Sequence, residues 1–180
     1  MQAIAKWSTL VILALGVAGC GSTPATTSAP SHSSQASASV SSAATPFLST
    51  NLSTKTVTLT LIAGYNQSNQ GFNFDGGYKG NKTITIPIGY RVVVHLEDHA
   101  QLPHSAAVIG PTGTSATGPI IPGAATPNPL TGTPPGQSAS FSFQATKTGS
   151  YRIGCLFPGH LILGMYLDLQ IVKHGSPSLS

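Results

Sequence analysis

Carboxylates are nearly missing from this 180-residue chain: Asp and Glu number four in all, and charged residues make up 7% of the sequence, against about 25% in an ordinary soluble protein. That scarcity excludes an acidic calcium-binding protein and leaves few groups for carboxylate-pair catalysis. Positive charge is thin as well. Eight Lys and Arg give a net charge of +4 but form no basic stripe, so no nucleic-acid partner is expected. Helical periodicity is lacking, and 20 Gly and 14 Pro interrupt the short apolar runs, which works against long helices. There is no internal repeat. The longest apolar run, Trp7 to Ala18, is too short for a comfortable membrane span. Cysteine is reduced to Cys20 and Cys155, which stand in unlike contexts.

What is present begins with an export pattern over residues 1–20. Lys6 supplies a positive start, the apolar run follows, and Val17-Ala18-Gly19-Cys20 closes it. This resembles the lipobox of bacterial lipoproteins, which implies lipidation of Cys20 and anchoring on the extracytoplasmic face of the cell membrane through buried acyl chains. Residues 21–53 are almost entirely Ser, Thr, Ala and Pro. They hold too little apolar area to offset the entropy of ordering, and so read as a flexible tether with a reach of roughly 30 Å.

Residues 54–174 read as an all-β domain, followed by a tail over 175–180. Thr56 to Leu61 alternates polar and apolar, as does Thr83 to Ile88, whose Pro87 suggests an edge strand. Arg91 to Leu96, Ser140 to Phe143, Gly149 to Ile153 and Met165 to Val172 complete a set that predicts a Greek-key β-sandwich. Between them, residues 110–136 carry seven Pro and no charge. A loop of that length is normally functional or disordered, and its Pro content favours an ordered excursion over one side of the sandwich.

The chemistry concentrates in Cys155-Leu-Phe-Pro-Gly-His160-Leu-Ile-Leu-Gly-Met165, with His104 far upstream in Pro103-His104-Ser105. A thiolate and two imidazoles form a trigonal set that suits both oxidation states of copper, and a thioether is a weak axial donor. His104, Cys155, His160 and Met165 therefore match a type 1, or blue, copper site. The spacing predicts that Cys155 ends one strand and Met165 begins the next, with His160 at the middle of the loop between them. Simpler roles exist: Cys155 as a structural thiol or a disulfide partner of Cys20, Met165 as plain core. An acylated Cys20 would have no free thiol, which leaves Cys155 for a metal.

On these residues the chain resembles the cupredoxins, and among them the sulfocyanins most, with similarity to rusticyanin as well. Phe72-Asn73-Phe74-Asp75-Gly76 is similar to the sulfocyanin FNFNG signature with Asp75 in place of the second Asn, and the four-residue gaps on either side of His160 are shared. Many cupredoxins place a bracing Asn before the upstream His; Glu97-Asp98 occupies that region here, and Ser105 is the candidate to brace the ligands instead. The resemblance implies a Greek-key cupredoxin sandwich and one type 1 copper ion. It also implies a monomeric electron carrier in an acidophile respiratory chain, with partners such as a terminal oxidase or cytochrome complex. Further, it implies that His160 brings one ring edge near the surface, framed by Leu156, Phe157, Pro158, Leu161 and Ile162, as a docking patch. Four protein donors leave no open coordination position, so the chain is not expected to be an enzyme. The alternative is a copper-binding or delivery lipoprotein that does not transfer electrons.

Overall fold

The computed structural model describes residues 45–180. The lipobox, with Cys20, and the tether up to residue 44 lie outside the described residues.

Among the described residues, nine strands form two sheets. The first sheet orders β1 (Leu48–Asn51), β2 (Thr56–Ala63), β4 (Arg91–Asp98) and β6 (Ser138–Gln144) as β1-β2-β4-β6. The second contains β3 (Thr83–Pro87), β5 (Ala107–Ile109), β7 (Gly149–Gly154), β8 (Tyr166–Val172) and β9 (Ser178–Leu179), ordered β5-β7-β8-β3-β9. Each sheet contains one parallel pairing. β2 runs beside β4 with Thr56 opposite Arg91, and β3 runs beside β8 with Thr83 opposite Asp168.

Sequence alternation decides which face of each strand is buried. In β2, Val57, Leu59, Leu61 and Ala63 point inward while the intervening Thr residues are partly exposed. In β8, Leu167, Leu169 and Ile171 do the same. These side chains, with Val94, Leu96, Ile84, Ile86 and Ile153, form one buried cluster. Each large aliphatic so buried stabilises the fold by about 1.5–3 kcal/mol before entropy is counted. The same period carries β4 from Val92 through Val94 and Leu96 to Asp98, and Asp98 is fully buried. A carboxylate thus occupies a position that the strand's geometry assigns to the interior.

Three strands depart from the expectation. β1 lies inside the segment that reads as tether, yet it pairs with β2 from Leu48 opposite Leu59 to Asn51 opposite Thr56. The sheet therefore starts before residue 54. β9 lies in the tail and pairs with Ile84 and Thr85 of β3. β3 is consequently not an edge strand over its whole length. Pro87 sits past the two residues that β9 covers, so its missing N–H is not needed on that side. β5, only three residues long and buried throughout, was not expected at all.

The Pro-rich segment 110–136 folds back along the chain from His104 to Val108. The Val108 N–H donates to the Ala124 carbonyl (2.9 Å), and that of Thr126 to Ala106 (2.9 Å). His104 and Thr133 exchange backbone bonds of 3.1 and 2.6 Å. The segment acts as an irregular outer strap on the part of the chain that carries His104.

Candidate metal centre

Cys155 follows β7 directly and Met165 directly precedes β8, so the loop between them closes one end of the β7–β8 hairpin. Its own backbone fixes it. The Cys155 N–H donates to the Met165 carbonyl (3.0 Å), that of Met165 to His160 (3.0 Å), and that of His160 to Phe157 (3.1 Å). Gly164, at φ 89°, passes against the Lys79 side chain so closely that a Cβ would collide with it.

Within this loop Cys155 Sγ and His160 Nδ1 stand 3.4 Å apart. The His104 ring lies beside them, its centroid 4.7 Å from that of His160. Met165 is fully buried in the same cluster as Cys155. Among the described residues, no three His, Cys, Asp or Glu side chains form a ready-made metal cage. What the fold assembles is a Cys–His pair with a second imidazole adjoining it. Cys155 is a free, buried thiol.

Ser105 ties the two sources of donors together. Its N–H donates to Cys155 Sγ (3.3 Å), its Oγ lies 3.8 Å from the same sulfur, and that Oγ accepts the Leu156 N–H (2.9 Å). The residue next to the upstream His thus holds both the sulfur and the residue after it.

A second support was not foreseen. Segment 66–82 leans on the loop from the other side. The Asn69 side-chain amide donates to the carbonyls of Phe72 (2.8 Å) and Leu163 (3.0 Å), and the Lys79 N–H donates to the Gly164 carbonyl (2.7 Å). Asn69 and Gln70 are both left-handed, at φ 51° and 59°. That conformation is uncommon for L-residues, and at Asn69 the side-chain bonds just named hold it. The result sets the Phe72 ring edge-on to His160, centroids 4.8 Å apart. Nothing in the sequence around Asn69 signals this role. The FNF motif carried the family resemblance but gave no sign of this contact.

The rest of that motif is structural. Asn73 donates to the carbonyls of Asn66 and Ser68 (both 2.8 Å) and accepts the Gly76 N–H (3.0 Å). Phe74 is core. Asp75 Oδ1 accepts the Ile62 N–H (2.7 Å) while Oδ2 is buried without a partner. Lys82 Nζ bonds to the Asp75 backbone carbonyl (2.7 Å), not to its carboxyl group. Burial pushes the Asp75 carboxyl up to about 7, against the opposing pull of the Ile62 N–H and Lys82.

Burial also pulls His160 down to about 4, helped by the neighbouring His104 and opposed by Asp98. A neutral imidazole with a free lone pair is what metal binding needs. Burial raises the Cys155 thiol, and hydrogen bonds from Ser105 and Phe157 work against that rise. A metal would have to displace the thiol proton, so binding should release it.

The expected docking frame divides. Leu156 and Leu161 are buried in a small cluster with Ala107 and Ile109, and they hold the loop to β5 instead of facing a partner. Phe157 is half-buried, with its ring 4.7 Å from that of His160. Pro158 is exposed, and Ile162 is 70% exposed. Leu163 and Leu102 add exposed apolar surface outside that frame. His160 itself is 3% exposed. Its ring lies beneath Phe72 and Phe157 and does not offer an edge to solvent.

Two β-sheets closed at one end by a Cys-His-Met loop, with a second His from an adjoining segment, define a cupredoxin. The chain belongs to the sulfocyanin family: the sulfocyanin (SoxE) domain matches residues 42–177. It is 33% identical over 134 residues to the sulfocyanin of Sulfolobus acidocaldarius, covering 69% of this chain and spanning 66% of that protein's length. Among solved structures it is similar to a dithionite-reduced auracyanin from Roseiflexus castenholzii (20% identity, 64% of this chain and 96% of that one, TM-score 0.47). It is also similar to rusticyanin from Thiobacillus ferrooxidans (21% identity, 68% and 86%, TM-score 0.43).

Family membership implies copper, and the donor set fits it. Sulfur, two imidazoles and a thioether are the types that accept both copper oxidation states. His104 Nε2 is buried with no hydrogen-bond partner, which leaves an unsatisfied polar atom at the site unless something binds there.

Proposed function

We propose that the protein is a one-electron carrier using a single type 1 copper ion held by His104, Cys155, His160 and Met165. Copper so held supplies a reversible Cu(II)/Cu(I) couple. The observation that carries the reading is the meeting of Cys155 Sγ and His160 Nδ1 at 3.4 Å with the His104 ring alongside, all three side chains buried. The chain's own contribution is rigidity. The loop's backbone bonds, Ser105 and the Asn69 bridge hold the donors before any ion arrives, so a change of oxidation state asks little movement of them. Four donors leave no position for a substrate, which supports transfer over catalysis.

Electrons would pass by way of the loop carrying His160, and the apolar surface of Phe157, Pro158, Ile162 and Leu163 is the surface we assign to partner docking. Small, weakly charged patches suit brief redox encounters. The lipobox-like pattern supports a position on the extracytoplasmic face of the membrane, with the domain tethered through Cys20. The fewness of carboxylates suits an acid exterior, since acid denaturation works largely through protonation of paired carboxylates. The partners would be respiratory, of the terminal-oxidase or cytochrome type.

Titration of the metal-free full chain with Cu(II) tests the reading. An intense thiolate-to-copper band in the visible is expected, with one copper per chain, and its loss in Cys155→Ser. Tight binding of copper without that band would point to copper delivery instead. No binding at all would remove the electron-carrier reading.

A further inference from the structure

Lys and Arg are scattered along the sequence, but the fold gathers four of them at one place. β2 and β4 run parallel, from Thr56 and Arg91 to Ala63 and Asp98. The chain leaving β4 meets Cys155, just past β7, through Ser105, so the metal loop closes the end of the sandwich at which β4 and β7 stop. The opposite end is built from turns that bond to one another. The Arg91 N–H donates to the Lys55 carbonyl (2.9 Å), just ahead of β2. In the turn between β3 and β4, the Gly89 N–H donates to Ala145 (2.8 Å), Tyr90 accepts from Ala145 (2.9 Å), and the Ile88 N–H donates to Val172 (2.9 Å). Lys147 follows shortly after Ala145, and Lys173 directly follows Val172. Lys55, Arg91, Lys147 and Lys173 are all exposed. The chain's four carboxylates lie toward the metal end instead. Glu97 and Asp98 finish β4, Asp75 bonds to Ile62 near the end of β2, and Asp168 stands opposite Thr83, where β3 begins. Two large apolar side chains on the cationic turns, Leu52 and Ile88, are exposed as well.

We propose that the end of the sandwich opposite the metal loop is a membrane-facing surface that binds anionic lipid headgroups. Four cations with no carboxylate among them attract a negatively charged leaflet, and each adds to the attraction. Leu52 and Ile88 sit on the same turns, where apolar tips can enter the headgroup region. A nucleic acid would use the charge but not those side chains. The inference rests on the tethered reading above for bringing a bilayer within reach, while the charge distribution owes nothing to Cys20. Its consequence is orientation. The eight residues of β4 separate the two ends by about 26 Å. Binding through the cationic turns therefore holds the metal loop off the bilayer, where Phe157, Pro158 and Ile162 face partners that approach from the aqueous side.

Hydrogen exchange of the full chain on vesicles is the test, with phosphatidylglycerol and phosphatidylcholine in equal parts for one set and phosphatidylcholine alone for the other. On the anionic vesicles the amides of 52–55, 88–91 and 145–148 should gain protection, and those of 156–163 should not. The preference for anionic over neutral vesicles should fall about fivefold for each charge removed in Lys147→Ala and in Lys147→Ala with Lys173→Ala, and added salt should weaken it. Protection of 156–163 in place of the turns overturns the inference, as does a preference that the double variant leaves unchanged. The wild-type exchange pattern decides the matter if that variant does not fold. A chain held on both kinds of vesicle by its apolar start, with no turn protected on either, overturns this inference alone. A chain that stays off both overturns the tethered reading along with it.

Discussion

The two halves of the site are held by opposite means. The hairpin that brings Cys155, His160 and Met165 closes on itself: its defining hydrogen bonds join residues no more than ten apart, such as Cys155 to Met165 and His160 to Phe157. The arm that brings His104 has one local support, Asp98 six residues back through the imidazole, and otherwise leans on distant chain: on Thr133 through paired backbone bonds and on Cys155 through Ser105. A locally closed loop can carry three donors at fixed spacing wherever its strands happen to run. A remote donor has to be delivered by the whole sandwich, so its placement reports that the fold has formed.

The strongest challenge to this contrast is Leu161→Glu. If the hairpin were self-sufficient, an altered side chain on it would cost little. Leu161, however, packs with Leu156, Ala107 and Ile109, where β5 and the hairpin meet. An unpaired carboxylate there should cost about 3 kcal/mol or more. Urea unfolding should show a large drop in midpoint, and a shift below about 1 kcal/mol would mean that the hairpin does not depend on β5.

Asp75 tests the support given by segment 66–82, by pH. Its carboxyl is raised from 3.8 to about 7 by burial. Between those values the unfolded chain ionises it while the folded chain keeps the proton, so the folded state binds more protons and stability falls as pH rises. The contribution is fully present below pH 3.8 and lost by pH 7, with a slope of up to about 1.4 kcal/mol per pH unit. Asp75→Asn should flatten that slope and leave the protein at neutral pH at least as stable as the parent. Unfolding free energies at intervals from pH 2 to 7 check it, and marked destabilisation by pH 4 would contradict the reading of the scarce carboxylates as suited to acid.

The contrast between the halves also explains what could be read in the chain beforehand. Cys155, His160 and Met165 announce themselves because their spacing is their geometry. Strands β2, β4 and β8 announce themselves through strict alternation. The three missed strands have no such pattern: β5 is Ala-Val-Ile buried on both faces, β9 is two residues long, and β1 lies in a Ser- and Thr-rich stretch whose partner, β2, is what gives it order. The course of segment 110–136 was illegible because its bonds run to residues 104–108 through backbone atoms, which leave no mark on side-chain choice. Asp98 was legible in principle. Extending the inward series of β4 by one step reaches it, but the partner that makes a buried carboxylate tolerable comes six residues later, by way of a turn.

A pair of glycine substitutions separates the halves more finely. Gly132 is at φ 80°, and a Cβ there would come within 3.0 Å of Pro103 Cβ and 3.1 Å of the His104 backbone. Gly159 is at φ 87° with nothing near its missing Cβ. Both Ala variants should lose about 1–2 kcal/mol for the left-handed backbone. Only Gly132→Ala should also displace His104, and so weaken Cu(II) binding beyond the stability loss. Equal copper affinities for the two variants would show that the strap does not position the arm.

The smallest effect on the fold is expected next door to the largest. Ile162 follows Leu161 directly yet points outward, 70% exposed. Ile162→Glu should therefore change stability by no more than about 0.5 kcal/mol and leave the visible copper band as it is, since the side chain adds nothing to the buried cluster that Leu161 joins. Its effect should appear only in the rate of electron exchange with a partner, slowed because a carboxylate must then be desolvated in the docked complex. Stopped-flow reduction by a small inorganic reductant and by a partner protein distinguishes the cases. Slowing with the partner alone places Ile162 in the docking surface. Equal rates with the partner for both proteins would move that surface elsewhere on the domain, and loss of colour would make Ile162 a support of the hairpin after all.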